Sequence, residues 1–218
     1  MLDNLKLYTF KLCPFAHRVR IALAEKGLIA ESIDVDLKNK PADFLSISPY
    51  GRVPVLDHGG ARLWESAIII AYLEEAFPQP ALMPDLPLLR ARVRLWIDFA
   101  DQRLLAPTHR LVIDRDGAPK MSLMKQLERD LGSFEQELRR QRAAGPYVMG
   151  QQFTLADIAL YPWFEQLETL QKLSGFQMQG DCEAIRNWAS TVAARPAVIA
   201  CSKSNDWYEQ QYRQYLAA

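Results

Sequence analysis

Four prolines fall within residues 78–87, at Pro78, Pro80, Pro84 and Pro87. Proline has no N–H to donate to a helix or an inner strand, and its ring blocks the preceding helical turn. Such a density ends any continuing element and favours an extended connector. The chain therefore reads as a first domain over 1–77, a linker over 78–87 and a second domain over 88–218. With 218 residues and 49% hydrophobic composition it has enough apolar material to bury a core.

Before the prolines, strand-like and helix-like segments alternate. Residues 5–10 read as a strand and 14–26 as a helix, with Pro14 in its first turn and Gly27 just past its end. Residues 31–37 alternate, with Ile33, Val35 and Leu37 on one face, and predict a second strand. A helical or irregular piece over 41–47 follows. Residues 53–57 and 61–64, joined by His58, Gly59 and Gly60, predict a hairpin, and Ser66 is expected to cap a helix running to Ala76. Beyond the prolines the apolar spacing is helical over 88–115, 121–142, 155–173 and 182–194. The stretch Phe153-Thr154-Leu155-Ala156-Asp157-Ile158 has the form of a capping box with a hydrophobic staple, a folding signal silent about substrate. The expected fold class is an α/β N-terminal domain with a mixed sheet and an all-α C-terminal domain.

Twenty-six basic residues balance twenty-six acidic ones, so no global field attracts nucleic acid or an anionic membrane. A small molecule or a protein is the expected partner. The first ten residues lack the basic start and apolar stretch of a secretory signal, and the longest apolar run, 67–73, is far short of a membrane span. Three scattered cysteines suit neither a disulfide framework nor a metal site, so no metal is expected and the compartment reads as a reducing cytoplasm.

Cys13 stands where a strand hands over to a helix, beside backbone N–H groups that have no partner inside the helix. Thiols in such places can have pKa values lowered from about 8.5, which makes them nucleophiles. The alternative is a small buried hydrophobe. Ala16 stands where a dithiol enzyme carries its second cysteine, so an external thiol has to complete any redox cycle. Cys182 and Cys201 read as packing residues, and His17 as part of a solvated helix face.

Other residues could hold that external thiol. A cis bond between Val53 and Pro54 would turn the Val53 backbone toward Cys13, where an extended peptide could pair with it. Glu65 and Ser66 close a strand and open a helix, so Ser66 and the N–H groups after it could receive a carboxylate while Glu65 meets an ammonium group. Together these describe the amino-acid end of a γ-glutamyl peptide. Ser66 as a plain helix cap is the alternative.

These residues resemble the omega class of glutathione transferases over nearly the whole chain. The matching stretches are Cys-Pro-Phe-Ala at 13–16 followed by Arg18 and Arg20, Leu-Lys-Asn-Lys-Pro at 37–41 and Val-Pro-Val-Leu at 53–56. Glu-Ser-Ala-Ile at 65–68, Pro-Trp-Phe-Glu at 162–165 and Asp206-Trp207 continue them. The resemblance implies a thioredoxin-like first domain in which Cys13 forms mixed disulfides with glutathione. It implies further that Val53, before a cis Pro54, pairs with the tripeptide backbone, that Glu65 and Ser66 hold its γ-glutamyl end, that Phe15 flanks the thiol and that Lys40 is the cation near its glycine end. A solvated loop charge is the other reading of Lys40. Trp163 and Trp207 occupy family positions that wall a pocket for a second substrate, and both could equally be core tryptophans. Gln166 stands where the omega pattern has a basic residue, a departure that bears on the second substrate alone. A homodimer is also implied.

The function expected is a glutathione-dependent thioltransferase or reductase acting on a small disulfide or electrophilic substrate, dehydroascorbate reduction and deglutathionylation being the types implied. Conjugation of glutathione to an electrophile is the alternative within the same superfamily. A binding role is a third reading, because Phe77-Pro78-Gln79-Pro80-Ala81-Leu82-Met83-Pro84 resembles stringent starvation protein A, a bacterial relative that binds RNA polymerase. That relative lacks the catalytic cysteine.

Overall fold

The computed structural model describes residues 4–113 and 119–217, which form two compact units, Met1–Leu82 and Met83–Ala218. In the first unit, strands β1 (Leu5–Thr9), β2 (Glu31–Asp34), β3 (Val55–His58) and β4 (Ala61–Trp64) form one mixed sheet in the order β2-β1-β3-β4. β1 is parallel to β2, and helix α1 (Pro14–Glu25) crosses between them; β3 runs antiparallel to both β1 and β4. The β3–β4 hairpin closes through Gly59 and Gly60 at φ 60° and 93°, the left-handed pair that suits a two-residue turn. Leu5, Leu7, Val55 and Leu56 of the sheet join Val19, Ile21 and Ala22 of α1 and Ile69, Ile70 and Leu73 of α3 (Ser66–Ala76) among the buried apolar residues.

Two local expectations in this unit are corrected, while the helical or irregular piece expected over 41–47 is present as a short helix, α2 (Phe44–Ile47), of a single turn. β2 ends at Asp34, so Leu37 lies beyond the strand. Ser66 is the first residue of α3 and does not cap it: Glu65 occupies the cap position with φ 66° and makes no side-chain capping bond.

The end of the first unit is held from inside. Lys26, at the C-terminus of α1, buries its ammonium against Glu74 of α3 at 2.7 Å and donates to the carbonyls of Phe77 and Pro80 at 2.6 and 3.0 Å. The Glu74 carboxylate also accepts from the Leu82 N–H at 3.1 Å. A buried charge is tolerable only when every partner is supplied in this way, and here the partners are backbone groups of the proline-rich stretch.

The second unit is helical: α4 (Pro87–Phe99), a π-helical segment (Ala100–Leu105), α5 (Ala106–Val112), α6 (Lys120–Gln141), α7 (Leu155–Glu165), α8 (Leu167–Ser174), α9 (Glu183–Ala193), α10 (Pro196–Cys201) and α11 (Asn205–Ala217). The single helix expected over 88–115 is thus in three pieces, and its last residues lie outside the described ones. Pro107 supplies the cause, because it cannot give the Arg103 carbonyl its helical hydrogen bond. The helix expected over 155–173 is divided at Gln166. α10 and α11 lie beyond the last helix that the apolar spacing predicts.

The capping box is present. Asp157 accepts from the Thr154 N–H and hydroxyl at 2.9 and 3.3 Å, and the Thr154 hydroxyl accepts from the Ala156 N–H at 3.3 Å. The other Asp157 oxygen accepts from the Val148 N–H at 3.0 Å and the Trp188 indole N–H at 2.8 Å, so one carboxylate ties the start of α7 to residue 148 and to α9. Burial pushes this carboxyl up from its ordinary value, against the pull of those donors. Phe153 faces Tyr147, at 5.3 Å between ring centroids, and the Arg195 guanidinium, 3.8 Å from its own centroid.

Candidate active site

Cys13 occupies the N-cap of α1, with φ −73° and ψ 113°, because Pro14 both fixes the first helical residue and needs no N–H partner. The sulfur accepts from the Ala16 N–H at 3.4 Å, and the thiol donates to the Val53 carbonyl at 3.7 Å. The peptide bond between Val53 and Pro54 is cis. β3 begins only at Val55, so both residues belong to the approach to the strand. Around the half-buried thiol lies an apolar cluster built on Val35, Phe44 and Val53 and completed by Tyr8, Phe10, Leu37 and Ile47.

That cluster changes the expected electrostatics. Burial pushes the Cys13 thiol up from its ordinary value; the N–H groups of Ala16 and Phe15 and the charges of Arg20 and Arg18 pull it down without reversing the direction. The helix terminus alone predicts a lowered pKa; the apolar walls brought by Val35 and Leu37 after β2, by α2 and by the Val53 loop oppose it. The thiol form therefore predominates at neutral pH, and the small thiolate fraction carries the intrinsic nucleophilicity of sulfur.

The other expected residues of this unit fall as follows. Phe15 is half-buried, with the Arg18 guanidinium 5.2 Å from its ring centroid. Lys40 is exposed and folds toward Gly51: a Cβ placed on that glycine, at φ 60°, would lie 3.4 Å from the Lys40 ammonium. Lys40 thus approaches the segment that carries Val53. Ser66 is buried at 4% exposure and Glu65 is exposed. Glu65 is the one non-glycine among the described residues with positive φ, and its carbonyl accepts from the N–H groups of Ile68 and Ile69 at 3.0 and 2.9 Å. A bulky side chain in that region is strained, and such strain concentrates at functional sites. Nothing in the sequence signals it, since glutamate is not a left-handed residue. His17, expected on a solvated face, is fully buried.

The family model described as glutathione S-transferase, N-terminal domain, matches residues 7–81, and that described as glutathione S-transferase, C-terminal domain, matches residues 99–196. The chain is 32% identical over 202 residues to glutathione S-transferase omega-1 of Sus scrofa, covering 90% of this chain and 79% of the relative. It belongs to the glutathione S-transferase family, and its likeness is to the omega class. Among solved structures it resembles glutathione transferase Omega 3C from Trametes versicolor, at 31% identity and a TM-score of 0.81, with 99% of this chain and 91% of that one covered. It also resembles rice GST1, solved in complex with glutathione, at 29% identity and a TM-score of 0.83 over 99% of each chain.

In the helical unit of this glutathione S-transferase, Trp163 is only 2% exposed and donates its indole N–H to the Thr108 hydroxyl at 2.8 Å, which makes it a core side chain. Trp207 is half-buried on α11, edge-on to Tyr208 at 5.2 Å. Gln166 is buried at the break between α7 and α8 and accepts from the Tyr212 hydroxyl at 2.8 Å. A lysine or arginine there would bury a charge in place of this acceptor. Among the described residues no group of histidine, cysteine and acidic side chains has the arrangement of a metal site, and no helix is long and apolar enough to cross a membrane.

Proposed function

We propose that this transferase is a glutathione-dependent thioltransferase that works through Cys13. One observation carries the reading: the Cys13 sulfur sits at a helix N-cap and faces the Val53 carbonyl, so nucleophile and peptide-pairing backbone adjoin. In the first step the Cys13 thiolate attacks the glutathione sulfur of a mixed disulfide, forming an enzyme–glutathione disulfide and expelling the substrate thiolate, which takes up a proton. A glutathione thiolate then attacks that intermediate, releasing glutathione disulfide and restoring Cys13. Electrons balance: one disulfide is reduced and one is formed. Small oxidised acceptors of the dehydroascorbate type would take two electrons from Cys13 and one glutathione, leaving the same enzyme–glutathione disulfide, which a second glutathione resolves with release of glutathione disulfide.

In this reading the Val53 backbone pairs with the glutathione backbone, Pro54 and Phe15 border the sulfur, Glu65 and Ser66 receive the γ-glutamyl end and Lys40 meets the glycine carboxylate. The raised thiol predicts a turnover that climbs with pH through the ordinary thiol range near pH 8.5 instead of levelling below it. Mass spectrometry after exposure to glutathione disulfide is expected to show a glutathione adduct confined to Cys13; an adduct on Cys182 or Cys201 alone would reject the assignment. Ser66→Ala is expected to raise the KM for glutathione about tenfold while kcat changes little, the signature of a binding contact worth about 1.4 kcal/mol. An unchanged KM would remove Ser66 from the site.

The same proposal includes a homodimer. Leu45, Tyr50 and Ile68 are 65%, 64% and 59% exposed, and Tyr50 lies edge-on to the partly exposed Trp64 at 6.5 Å. Large apolar side chains left this exposed on one unit are the kind a subunit interface covers. Sedimentation velocity at micromolar concentration is expected to give twice the chain mass, and Tyr50→Asp to lower it; a monomer at every concentration would reject the dimer.

A further inference from the structure

We infer that Arg20 is a positioning residue for this chemistry, supplying the fixed positive charge that lets Cys13 ionise inside an apolar wall. The inference rests on the thioltransferase reading of Cys13 and goes beyond it by naming the group that sustains the nucleophile. Arg20 follows Cys13 by seven residues, two helical turns, so both project from the same face of α1. Its guanidinium donates to the hydroxyl of Thr9 at 2.7 Å. Thr9 is a buried residue at the end of β1, the strand that leads into the Cys13 turn, and its carbonyl accepts from the N–H of Val35 in the apolar cluster. Among the described residues Arg20 has no carboxylate partner, so its charge is not cancelled locally. A hydroxyl anchor fixes the cation without neutralising it, which a glutamate or aspartate would do.

The titratable and charged groups on the elements around Cys13 are Lys6 and Tyr8 of β1, Lys11 before α1, His17, Arg18, Arg20 and Glu25 on α1, Glu31 and Asp34 of β2, Arg52 before β3, and Asp57 and His58 on β3; Asp34, which stands opposite Thr9 in the sheet register, is exposed to solvent, as is Glu31. Arg18 is fully buried and lies against the Phe15 ring, so its replacement would disturb packing as well as charge. Lys11 and Arg52 are exposed, where solvent screens them. Arg20 is half-buried and anchored, which gives its charge reach.

The test is the pH dependence of Cys13 alkylation by iodoacetamide, followed by mass spectrometry on the full chain, in the wild type, Arg20→Gln, Arg20→Lys and Thr9→Val. Arg20→Gln is expected to move the apparent pKa upward and to slow alkylation at pH 7 about 3- to 10-fold, the effect of one unscreened charge in a partly buried setting. Arg20→Lys is expected to restore most of the rate, because charge and not shape is at issue. Thr9→Val, which keeps the charge but frees it, is expected to fall between them. If Arg20→Gln does not fold, the lysine and valine variants decide alone: wild-type behaviour in Thr9→Val overturns the inference. Superimposable profiles for Arg20→Gln and wild type overturn it, as does a lysine variant shifted as far as the glutamine one. Failure of the underlying reading looks different, since a Cys13→Ser protein would then still reduce mixed disulfides whatever the alkylation profile.

Discussion

Cys13→Ser should abolish mixed-disulfide reduction, lowering kcat/KM by about a thousandfold or more, the scale on which loss of a covalent nucleophile is felt. A serine hydroxyl placed there could not form the enzyme–glutathione disulfide, and no other thiol described near the helix terminus could take over, since position 16 is alanine. The substitution isolates chemistry from folding. Serine is among the strongest N-cap residues, and its hydroxyl can accept from the Ala16 N–H as the sulfur does. The melting temperature should therefore hold while activity disappears. Reduction of a glutathionylated peptide, with release of glutathione disulfide, is the assay; a serine variant within tenfold of the parent would reject the mechanism. A serine variant that instead gains conjugation of glutathione to an aromatic electrophile would place the ordinary transferase reaction within reach of the same site.

Asp157→Ala is expected to produce the largest loss of stability, about 3–5 kcal/mol, with a fall in melting temperature on the order of 10 °C. The carboxylate takes four hydrogen bonds, from Thr154 twice, from Val148 and from the Trp188 indole, in a site of zero exposure. Alanine would leave all those donors without an acceptor and open the start of α7. Asp157→Asn separates the contributions: one oxygen still serves Val148 and Trp188, while its amide nitrogen meets the Thr154 N–H, donor against donor. The asparagine variant should lose roughly half as much. Thermal unfolding followed by circular dichroism checks both, and an alanine variant within 1 kcal/mol of the parent, the scale of an ordinary surface change, would show that the box does not anchor the unit.

The capping box shows how much local sequence can say. Thr154 and Asp157 stand three residues apart, and that spacing alone fixed the start of α7. Strand β1, helix α1 and the Gly59–Gly60 hairpin were legible for the same reason: their signals lie within a few residues of one another. The reach of Asp157 to Val148 and Trp188 was not legible, because those partners are brought to it by packing. Glu65 was named as a ligand for an ammonium group, yet its positive φ could not be foreseen, since that conformation is imposed by the junction of β4 and α3 and not by a glutamate preference.

The run of four prolines at 78–87 was sufficient to stop the alternating pattern, because a missing N–H and a fixed φ act wherever they occur in the chain. The cysteine, its proline and the helix that follows were likewise written in adjacent residues. Tertiary structure decided the rest: that Lys26 and Glu74 hold the backbone of residues 77–82, that His17 and Trp163 are buried and that the Cys13 thiol is pushed up. Burial and solvation depend on side chains that arrive from distant segments, here Val35, Phe44 and Val53. A sequence read locally places a charge or a thiol on an element, and only the folded chain sets the medium in which it ionises.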